Sequence, residues 1–446
     1  MIDETIAGER PTPTSTKITE FEKTNKEFEP RRQEWLKKFA RTFGPPPPEL
    51  PPLREVNHYI MLIDPDARYS VRPPRCSAAL FPLLREKTQR YINAGWWTLS
   101  HGRNAIPLLC IPKAGAELKL RTVVDARERN ANTVIDTTPL PNQDLIREAV
   151  ASHKYVSVID MTDAYEQMRV TPEDVPKTLF ASPLGTFVSN VLQQGDCNGP
   201  SSWQRLMTYV FRERIGVEVW VYIDDIFIFT NSIEKHENAL QYVLDCLTKE
   251  HLYISSKKFN PYAIRFNCLG HYRDEFGLHA STDKLELIRK WPTPASYHEV
   301  QRFLGLVEYI SRFLPNISAY TTPLSGMCSD GLPFVWHNLQ DKCFESIKAI
   351  VSKRLSLKPI DRTKRDPVWV VSDACPSGCG AYFGQGEDWK TMRPAGFMSK
   401  KFTDAQRLYF TYEHETLGVI EALKKWDDVL LGLPEIKVMT DHVRLF

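Results

Sequence analysis

Two adjacent carboxylates interrupt a strongly apolar stretch of the sequence. Asp224 and Asp225 lie between residues 219–223 and 226–229, two runs of β-branched and aromatic residues. Two such runs separated by two residues predict a β-hairpin, and Asp tolerates the positive φ that a two-residue turn requires. Neighbouring carboxylates repel each other unless a cation compensates, and hard oxygen ligands suit Mg²⁺. A surface hairpin that binds nothing is equally compatible with these residues alone.

A third carboxylate follows another strand-like run. Residues 155–159 are β-rich and end at Asp160, after which residues 161–168 show a helix-like pattern. A carboxylate that leaves the end of a buried strand is suited to be a third metal ligand. Asp163 competes for this role but is better placed to cap a helix. Tyr165 can project back toward the same pocket, although alone it would be interpreted as a core residue.

Basic residues follow a predicted hairpin earlier in the chain. Residues 106–112 and 118–124 are β-rich, and Lys113 lies in the connection between them. Alternation places Lys119 and Arg121 on one face of the strand, where a phosphate-rich ligand can lie. From this stretch alone, a strand face that is merely exposed to solvent is as consistent with these residues as a phosphate-binding face.

A glycine-rich loop precedes a predicted helix at residue 200. Gln194 and Gly195 lie in this loop, and the helix carries an apolar stripe that includes Trp203 and Met207. Glycine before a helix lets a ligand approach the backbone. Such loops are common, so this feature gains meaning only beside the others.

Composition limits the classes of protein that the chain can belong to. Its 446 residues are 42% hydrophobic and 25% charged, which is typical of a globular protein with several cores. The net charge is only +2, so a nucleic-acid surface has to be local. Nine cysteines without paired spacing and no secretory leader favour a reducing intracellular compartment. Cys375 and Cys379 lack a second zinc-binding pair, and no apolar run approaches the roughly 18 residues of a membrane span.

The two ends of the chain differ in character. Residues 1–55 are polar with a Pro-rich block at 45–52, which predicts a tether, and Trp35 and its neighbours favour a short amphipathic helix within it. Near the other end, a helix predicted over residues 404–431 carries Glu415 on its apolar stripe. Asp373 and Asp441, each at a predicted strand end, can supply a partner by sharing a metal with Glu415. Glu413 competes for this role but points roughly oppositely.

The order of these parts resembles the reverse transcriptases of retroviruses and of gypsy-class long-terminal-repeat retrotransposons, over about residues 56 to 446. The resemblance implies an α+β multidomain fold, a right-hand polymerase with fingers, palm and thumb followed by a truncated RNase H-like α/β domain. The implied boundaries are a Pro-rich polar tether at 1–55, fingers and palm at 56–232, the rest of the palm and the thumb at 233–330, a connection at 331–365 and the partial RNase H-like domain at 366–446.

The resemblance also implies a role for each candidate residue. The metal-binding catalytic carboxylates are Asp160, Asp224 and Asp225. The nucleotide-binding residues are Lys113, Arg121, Tyr165, Gln194 and Gly195, with Tyr165 as the gate against a ribose 2′-hydroxyl. Lys258 is implied to be a general acid, although a lysine that is simply exposed to solvent is equally consistent with its position. Leu269 and Gly270 are implied to form a primer grip. An RNase H-like metal site is implied at Asp373, Glu415 and Asp441. The chain departs from the family's common Pro-Phe-Gly, which is replaced by Gln193, Gln194 and Gly195.

The implied function is RNA-directed DNA polymerisation in a retroelement, by two-metal nucleotidyl transfer with Mg²⁺, or with Mn²⁺ as the alternative cation. The implied partners are an RNA or DNA template, a DNA or tRNA-type primer, an RNA–DNA hybrid and dNTPs, besides polyprotein neighbours or a second copy of the chain. No membrane is involved. The expected location is cytoplasmic, free or within a virus-like particle, with the nucleus left open. Because only residues 442–446 follow Asp441, the RNase H part is expected to be inactive alone. The alternatives are a non-catalytic nucleic-acid-binding remnant and a structural protein built on the same fold.

Overall fold

The structure is a computed structural model that describes residues 15–70, 72–113, 118–328, 334–352 and 356–440. Its helices are α1 (Ser15–Lys38), α2 (Phe81–Asn93), α3 (Arg127–Ala131), α4 (Gln143–Ser152), α5 (Gly199–Val210), α6 (Ile233–Lys249), α7 (Thr282–Arg289), α8 (Tyr297–Tyr309), α9 (Ile317–Ser325), α10 (Asn338–Ser352), α11 (Thr411–Lys425) and α12 (Asp427–Leu430). Its strands are β1 (Trp97–Leu99), β2 (Ile106–Lys113), β3 (Lys119–Val124), β4 (Tyr155–Asp160), β5 (Phe180–Ser182), β6 (Gly185–Ser189), β7 (Val219–Tyr222), β8 (Asp225–Thr230), β9 (Phe266–Cys268), β10 (His271–Asp274), β11 (Gly277–Ala280), β12 (Ser356–Leu357), β13 (Val368–Cys375), β14 (Gly378–Gln385), β15 (Arg393–Lys401) and β16 (Ile436–Met439).

These elements form two compact units, which we describe separately. The N-terminal unit comprises residues 26–142 and 154–263. The C-terminal unit contains residues 143–153 and the described residues after 263. Each unit has its own hydrophobic cores and its own sheets, so the predicted mixed α+β architecture is confirmed. No helix in the described ranges combines the length and apolar character needed to cross a bilayer.

The first sheet of the N-terminal unit has the strand order β4-β8-β7, and both pairings are antiparallel. Its strands carry β-branched residues that are fully buried, among them Ile159, Val221 and Ile226. Helix α6 covers this sheet because apolar residues recur along one of its faces at the spacing of a helix turn. The buried positions of that face include Ala239, Leu240, Val243, Leu244 and Leu247.

A second sheet in the same unit has the strand order β1-β6-β5-β2-β3. Its core is aromatic: Trp97, Phe180 and Phe187 are buried together with Tyr91 of helix α2. Strands β2 and β3 form the predicted antiparallel hairpin, in which Lys113 lies opposite Lys119. Residues 114–117, which include most of the predicted connection, lie outside the described residues.

The prediction of a tether over residues 1–55 is wrong for its described second half. Helix α1 contains the predicted amphipathic segment, and Trp35 donates from Nε1 to the Tyr262 hydroxyl at 3.0 Å. Phe28 stacks on the same tyrosine, with ring centroids 4.6 Å apart. Arg54 is buried and donates to the backbone carbonyls of Gln167 and Glu250. Apolar burial and satisfied guanidinium bonds therefore hold this segment against the N-terminal unit.

The C-terminal unit contains two four-stranded sheets. The first has the order β12-β11-β10-β9, and helices α7 to α10 contribute most of the hydrophobic core beside it. The second has the order β15-β14-β13-β16, with β16 parallel to β13. Helix α11 packs across β13 and β14, where Gly418 permits a close approach to Ser372.

The single helix predicted over residues 404–431 is wrong in extent. Helix α11 begins only at Thr411 because Glu413 accepts a 2.8 Å hydrogen bond from the Phe410 backbone N–H, which caps the helix there. Leu408, predicted on the apolar stripe, precedes this cap and is 86% exposed. A short break at Trp426 then separates α11 from α12.

His236 lies at the centre of a closed hydrogen-bond network in the N-terminal unit. Its Nε2 is 2.7 Å from the Ser157 hydroxyl, and its Nδ1 is 3.2 Å from that of Thr230. Ser157 also accepts from the Tyr262 N–H, and Thr230 donates to the Ser232 carbonyl. These partners match a neutral imidazole protonated at Nδ1. Burial lowers the pKa of His236 from 6.5 to about 4.

This network predicts a loss of stability in mild acid. Between pH 6.5 and about 4, His236 is protonated in the unfolded chain but stays neutral in the folded protein. The free energy of unfolding therefore falls as the pH falls, by up to about 3 kcal/mol. Thermal unfolding near pH 7 and near pH 5 should therefore show a smaller pH difference for His236→Gln, which keeps an acceptor for Ser157, than for the wild-type protein. An equal pH difference in both proteins would contradict this role of His236.

Candidate active site

The two adjacent carboxylates lie at a tight turn between strands β7 and β8. Tyr222 and Asp225 are the last paired residues, so a two-residue turn is present, but Ile223 and Asp224 form it instead of the predicted Asp224 and Asp225, and Asp225 begins strand β8. The positive φ falls on Ile223, at +51°, and not on an aspartate as expected. A β-branched residue in this region is strained, so neighbouring structure has to hold it there.

Helix α5 provides the contacts that hold this turn. Gln204 donates from Nε2 to the Val221 carbonyl and accepts from the Ile223 N–H, both at 3.0 Å. Trp203 donates from Nε1 to the Ile223 carbonyl, also at 3.0 Å. Both side chains are fully buried. The sequence predicts Trp203 only as a core residue and gives Gln204 no role, although a glutamine beside a buried apolar stripe indicates a buried polar partner.

Asp160 is the last residue of β4 and lies directly opposite Asp225 in the sheet register. The Lys258 ammonium donates to both of its carboxylate oxygens, at 2.9 and 2.8 Å. Burial, and then the charge of Asp160, raises the pKa of Asp224, and burial together with both neighbouring carboxylates raises the pKa of Asp225 to about 6. The structure therefore brings the three predicted carboxylates together as a cluster of incompletely compensated negative charge.

The described residues include no group of three His, Cys, Asp or Glu side chains placed closely enough to hold a metal ion. The three carboxylates thus lie near one another without forming a preformed metal site. The Lys258 ammonium contacts both oxygens of Asp160, so it would compete with a cation for this carboxylate.

Tyr165 lies in a 3-10 helix (Ala164–Gln167) that follows β4. Its ring is half-buried and packs against the core that underlies the carboxylate turn. Burial, with smaller effects from Asp224 and Asp196, raises the pKa of its hydroxyl to about 12. The predicted projection of Tyr165 toward the carboxylates therefore agrees with its surroundings.

The basic residues of the β2–β3 hairpin lie on one face of that sheet. Lys113 of strand β2 lies opposite Lys119 of strand β3 in the register. Arg121, also in β3, donates from Nε to the Gln194 side-chain oxygen at 3.0 Å. Gly195 has φ +118°, and a Cβ there would lie 2.3 Å from the Val124 carbonyl oxygen. Glycine is thus required where the loop passes strand β3.

A buried ion pair under this loop was not predicted from sequence. Arg129 and Asp196 are both buried, with Nη2 and Oδ1 3.0 Å apart, and His58 lies 3.3 Å from the second Asp196 oxygen. The proximity of Arg129 holds the pKa of Asp196 below its usual range against the opposing effect of burial. An aspartate directly after the Gln194–Gly195 step was the only local hint.

The predicted primer-grip residues form another two-residue turn, in the C-terminal unit. Leu269 has φ +46° and Gly270 has φ +79°, between strands β9 and β10. The Leu269 carbonyl accepts hydrogen bonds from Arg147 at 2.7 Å and from the Tyr309 hydroxyl at 2.9 Å. Helices α4 and α8 therefore fix this turn from two sides.

The predicted RNase H-like site is described only in part. Asp373 lies on β13, and the Glu415 carboxylate on α11 accepts from the Ala374 N–H at 3.1 Å and from the Thr440 hydroxyl at 3.2 Å. Asp441 lies outside the described residues. Glu415 is 3% exposed, so the prediction that this carboxylate faces the sheet agrees with the structure.

The architecture is that of a right-hand polymerase followed by an RNase H-like domain, as solved structures of the same fold and family models indicate. Comparison with protein families gives the particular family. Residues 111–273 match the family model for reverse transcriptase (RNA-dependent DNA polymerase), and residues 336–438 match that for the RNase H-like domain found in reverse transcriptase. The chain therefore contains a reverse transcriptase domain followed by an RNase H-like domain.

Curated relatives belong to retroelements. The chain is 29% identical over 342 residues to the retrovirus-related Pol polyprotein from transposon opus of Drosophila melanogaster, covering 74% of this chain and 34% of that protein. It is 26% identical over 395 residues to the transposon Tf2-3 polyprotein of Schizosaccharomyces pombe, covering 88% and 29% respectively. The chain thus spans about a third of the length of these relatives.

Solved structures of a foamy viral protease-reverse transcriptase share the fold at 20% sequence identity. A complex of its dRH form with double-stranded DNA has a TM-score of 0.81 and covers 98% of this chain and 78% of that one. A complex with an RNA/DNA hybrid has a TM-score of 0.75, with coverages of 94% and 56%. This level of identity supports the fold alone.

The contacts of Gln204 predict a specific effect on stability. Gln204→Met preserves side-chain volume but leaves the Val221 carbonyl and the Ile223 N–H without their partner, which should lower the unfolding free energy by about 2 kcal/mol. Thermal or denaturant unfolding measures this loss. Gln89→Met on the exposed face of α2 is the control and should change stability by less than about 0.5 kcal/mol. Equal effects of the two substitutions would contradict the proposed support of the turn.

Proposed function

We propose that this chain is the RNA-directed DNA polymerase of a retroelement polyprotein and that it extends a primer on an RNA or DNA template. The observation that carries the proposal is the pairing of Asp160 with Asp225 beside the Asp224 turn, in a domain of the reverse transcriptase family. The division into fingers and palm at 56–232, palm and thumb at 233–330, a connection at 331–365 and an RNase H-like part at 366–446 belongs to the same proposal.

The carboxylate cluster fits a divalent cation in its chemistry. Its donors are hard oxygens, and the raised pKa of Asp225 indicates negative charge that the surrounding protein compensates incompletely. Asp160, Asp224 and Asp225 would hold Mg²⁺ or Mn²⁺, which when bound would activate the primer 3′-hydroxyl and neutralise the leaving pyrophosphate. Asp160 would exchange its ion pair with Lys258 on binding. Lys258, released from Asp160, would then be available to protonate the leaving pyrophosphate as the general acid that the family resemblance implies.

The remaining residues position the substrates. Lys113 and Arg121 offer positive charge to a nucleotide triphosphate from one sheet face, and Gln194, bonded to Arg121, lies beside them. Gly195 allows the loop backbone to approach nucleotide and template. Tyr165 supplies the surface against which the incoming sugar packs. In the C-terminal unit, Leu269 and Gly270 form the proposed primer grip.

Nucleic acid is the proposed macromolecular partner. The foamy viral structures that share this fold hold double-stranded DNA or an RNA/DNA hybrid, which supports the same kinds of partner here. Contacts to backbone phosphates make such binding largely independent of sequence. A non-catalytic binding remnant is the alternative, and it would bind template-primer without extending it.

The proposal predicts that chemistry and binding separate on mutation. Asp224→Asn or Asp160→Asn should reduce nucleotide addition by at least about 100-fold, because each removes a charge from the cation site. Affinity for a template-primer duplex should change by less than about threefold, since binding depends on basic contacts. Primer extension and fluorescence anisotropy measure the two quantities.

Asp245→Asn, on an exposed turn of α6 outside the site, is the matched control and should behave as wild type. Extension at the wild-type rate by either site variant would exclude the carboxylate assignment. Loss of both binding and extension would indicate a folding defect, which circular dichroism would detect.

We also propose that the RNase H-like part is inactive by itself. Each Glu415 oxygen already accepts one protein hydrogen bond, so fewer of its lone pairs are open to a metal ion. The purified chain should leave a labelled RNA–DNA hybrid uncut with Mg²⁺ or Mn²⁺. Cleavage by the wild-type protein that disappears in Asp373→Asn would show a working nuclease and overturn this part of the proposal.

A further inference from the structure

The Tyr165 ring packs directly against a glycine, Gly199. A Cβ built on Gly199 would lie 3.3 Å from Tyr165 Cε2, 3.6 Å from Tyr165 Cζ and 3.7 Å from Leu192 Cδ1. The closest of these contacts is tight enough that the neighbouring atom would have to move by a few tenths of an ångström. The two ring atoms lie at the hydroxyl end of the tyrosine, so this is the end that the bare glycine accommodates.

The backbone does not itself require glycine at this position. Gly199 is the first residue of α5, and its φ is not among the positive values found in the described residues. Alanine is more favourable than glycine in a helix by up to about 1 kcal/mol. Space for the Tyr165 ring is therefore a better explanation of the glycine than backbone conformation.

The backbone at Gly199 is also held in place by hydrogen bonds. The preceding Asn198 is buried, donates from Nδ2 to the Val134 carbonyl at 2.8 Å and accepts from the Asp136 N–H at 3.0 Å. The Gly199 N–H itself donates to the Asp196 carbonyl at 3.2 Å. A methyl group added at Gly199 would thus displace the half-buried Tyr165 ring and leave the helix start in place.

We propose that Gly199 is a specificity-determining residue, which sets the position of the Tyr165 ring and so the clearance around the 2′ position of the incoming sugar. This inference rests on the proposed function, in which Tyr165 contacts that sugar. Residues of the hydrophobic core pack against the ring, so in this proposal a methyl at Gly199 moves the ring toward solvent. The clearance for the nucleotide becomes smaller.

The test compares deoxynucleotide and ribonucleotide incorporation by four proteins: wild type, Gly199→Ala, Tyr165→Val and the double variant. Gly199→Ala should raise the KM for deoxynucleotides about threefold to tenfold with kcat changed by less than about twofold, and it should strengthen discrimination against ribonucleotides. Tyr165→Val should weaken that discrimination by removing the clash with the 2′-hydroxyl. In the Tyr165→Val background the effect of Gly199→Ala should disappear, because the side chain that it acts on is gone.

Two controls separate this role from a purely structural one. Gly326→Ala, at a site where an added Cβ meets no atom within 4 Å, should leave both KM values unchanged. The melting temperature of Gly199→Ala should stay close to that of wild type, because the helix preference of alanine offsets the displacement of the half-buried ring.

Each contrary outcome has a definite meaning. If Tyr165→Val relaxes sugar choice and Gly199→Ala does not change it, the inference is overturned and the proposed function stands. An equal effect of Gly199→Ala with and without the Tyr165 ring also overturns the inference, as does a lower melting temperature with unchanged KM. If the wild-type protein incorporates no nucleotide on a primed template, the proposed function fails and the inference fails with it.

Discussion

The hydrogen bonds from helix α5 to the carboxylate turn are the constraint on which the candidate site depends. Ile223 has a left-handed conformation that a β-branched residue avoids, at a cost of about 1 to 3 kcal/mol. Gln204 and Trp203 offset this strain because they engage the N–H and the carbonyl of Ile223 from a buried, rigid helix. The strand register then determines the rest, since it places Asp225 opposite Asp160. The backbone thus holds the carboxylates of Asp160, Asp224 and Asp225 close together despite the repulsion between their negative charges.

The same helix links the other parts of the site. Its first residue borders the Tyr165 ring, its next turn supports the carboxylate turn, and the loop before it reaches Arg121 through Gln194. The buried pair of Arg129 and Asp196 fixes that loop from beneath. The residues proposed to contact nucleotide, sugar and metal are therefore all supported by one helix and the loop before it in the N-terminal unit. Such shared support is what catalytic positioning within fractions of an ångström requires.

The sequence was informative where a feature is local. Alternation, turn chemistry and strand ends predicted the hairpins and the placement of Asp160 at a strand end, although the carboxylate turn lies one residue earlier than predicted. The resemblance of their order to reverse transcriptases is confirmed by the two family matches. It failed where partners are distant in the chain. The pairing of Lys258 with Asp160 and of Gln204 with Ile223 depends on tertiary contacts that no periodicity reveals. The positive φ of Ile223 and the late start of α11 likewise depend on hydrogen bonds made by other residues.

We propose that this carboxylate cluster performs templated nucleotide addition. Its most direct test is extension of a labelled DNA primer on an RNA template of defined sequence by the purified wild-type chain, with Mg²⁺ and with the four dNTPs supplied singly and together. Each added nucleotide should be the complement of the next template base, and a chelator should abolish addition. Firm binding of the primed template without addition of any nucleotide, under conditions where a known reverse transcriptase extends it, would show that the cluster does not catalyse this reaction.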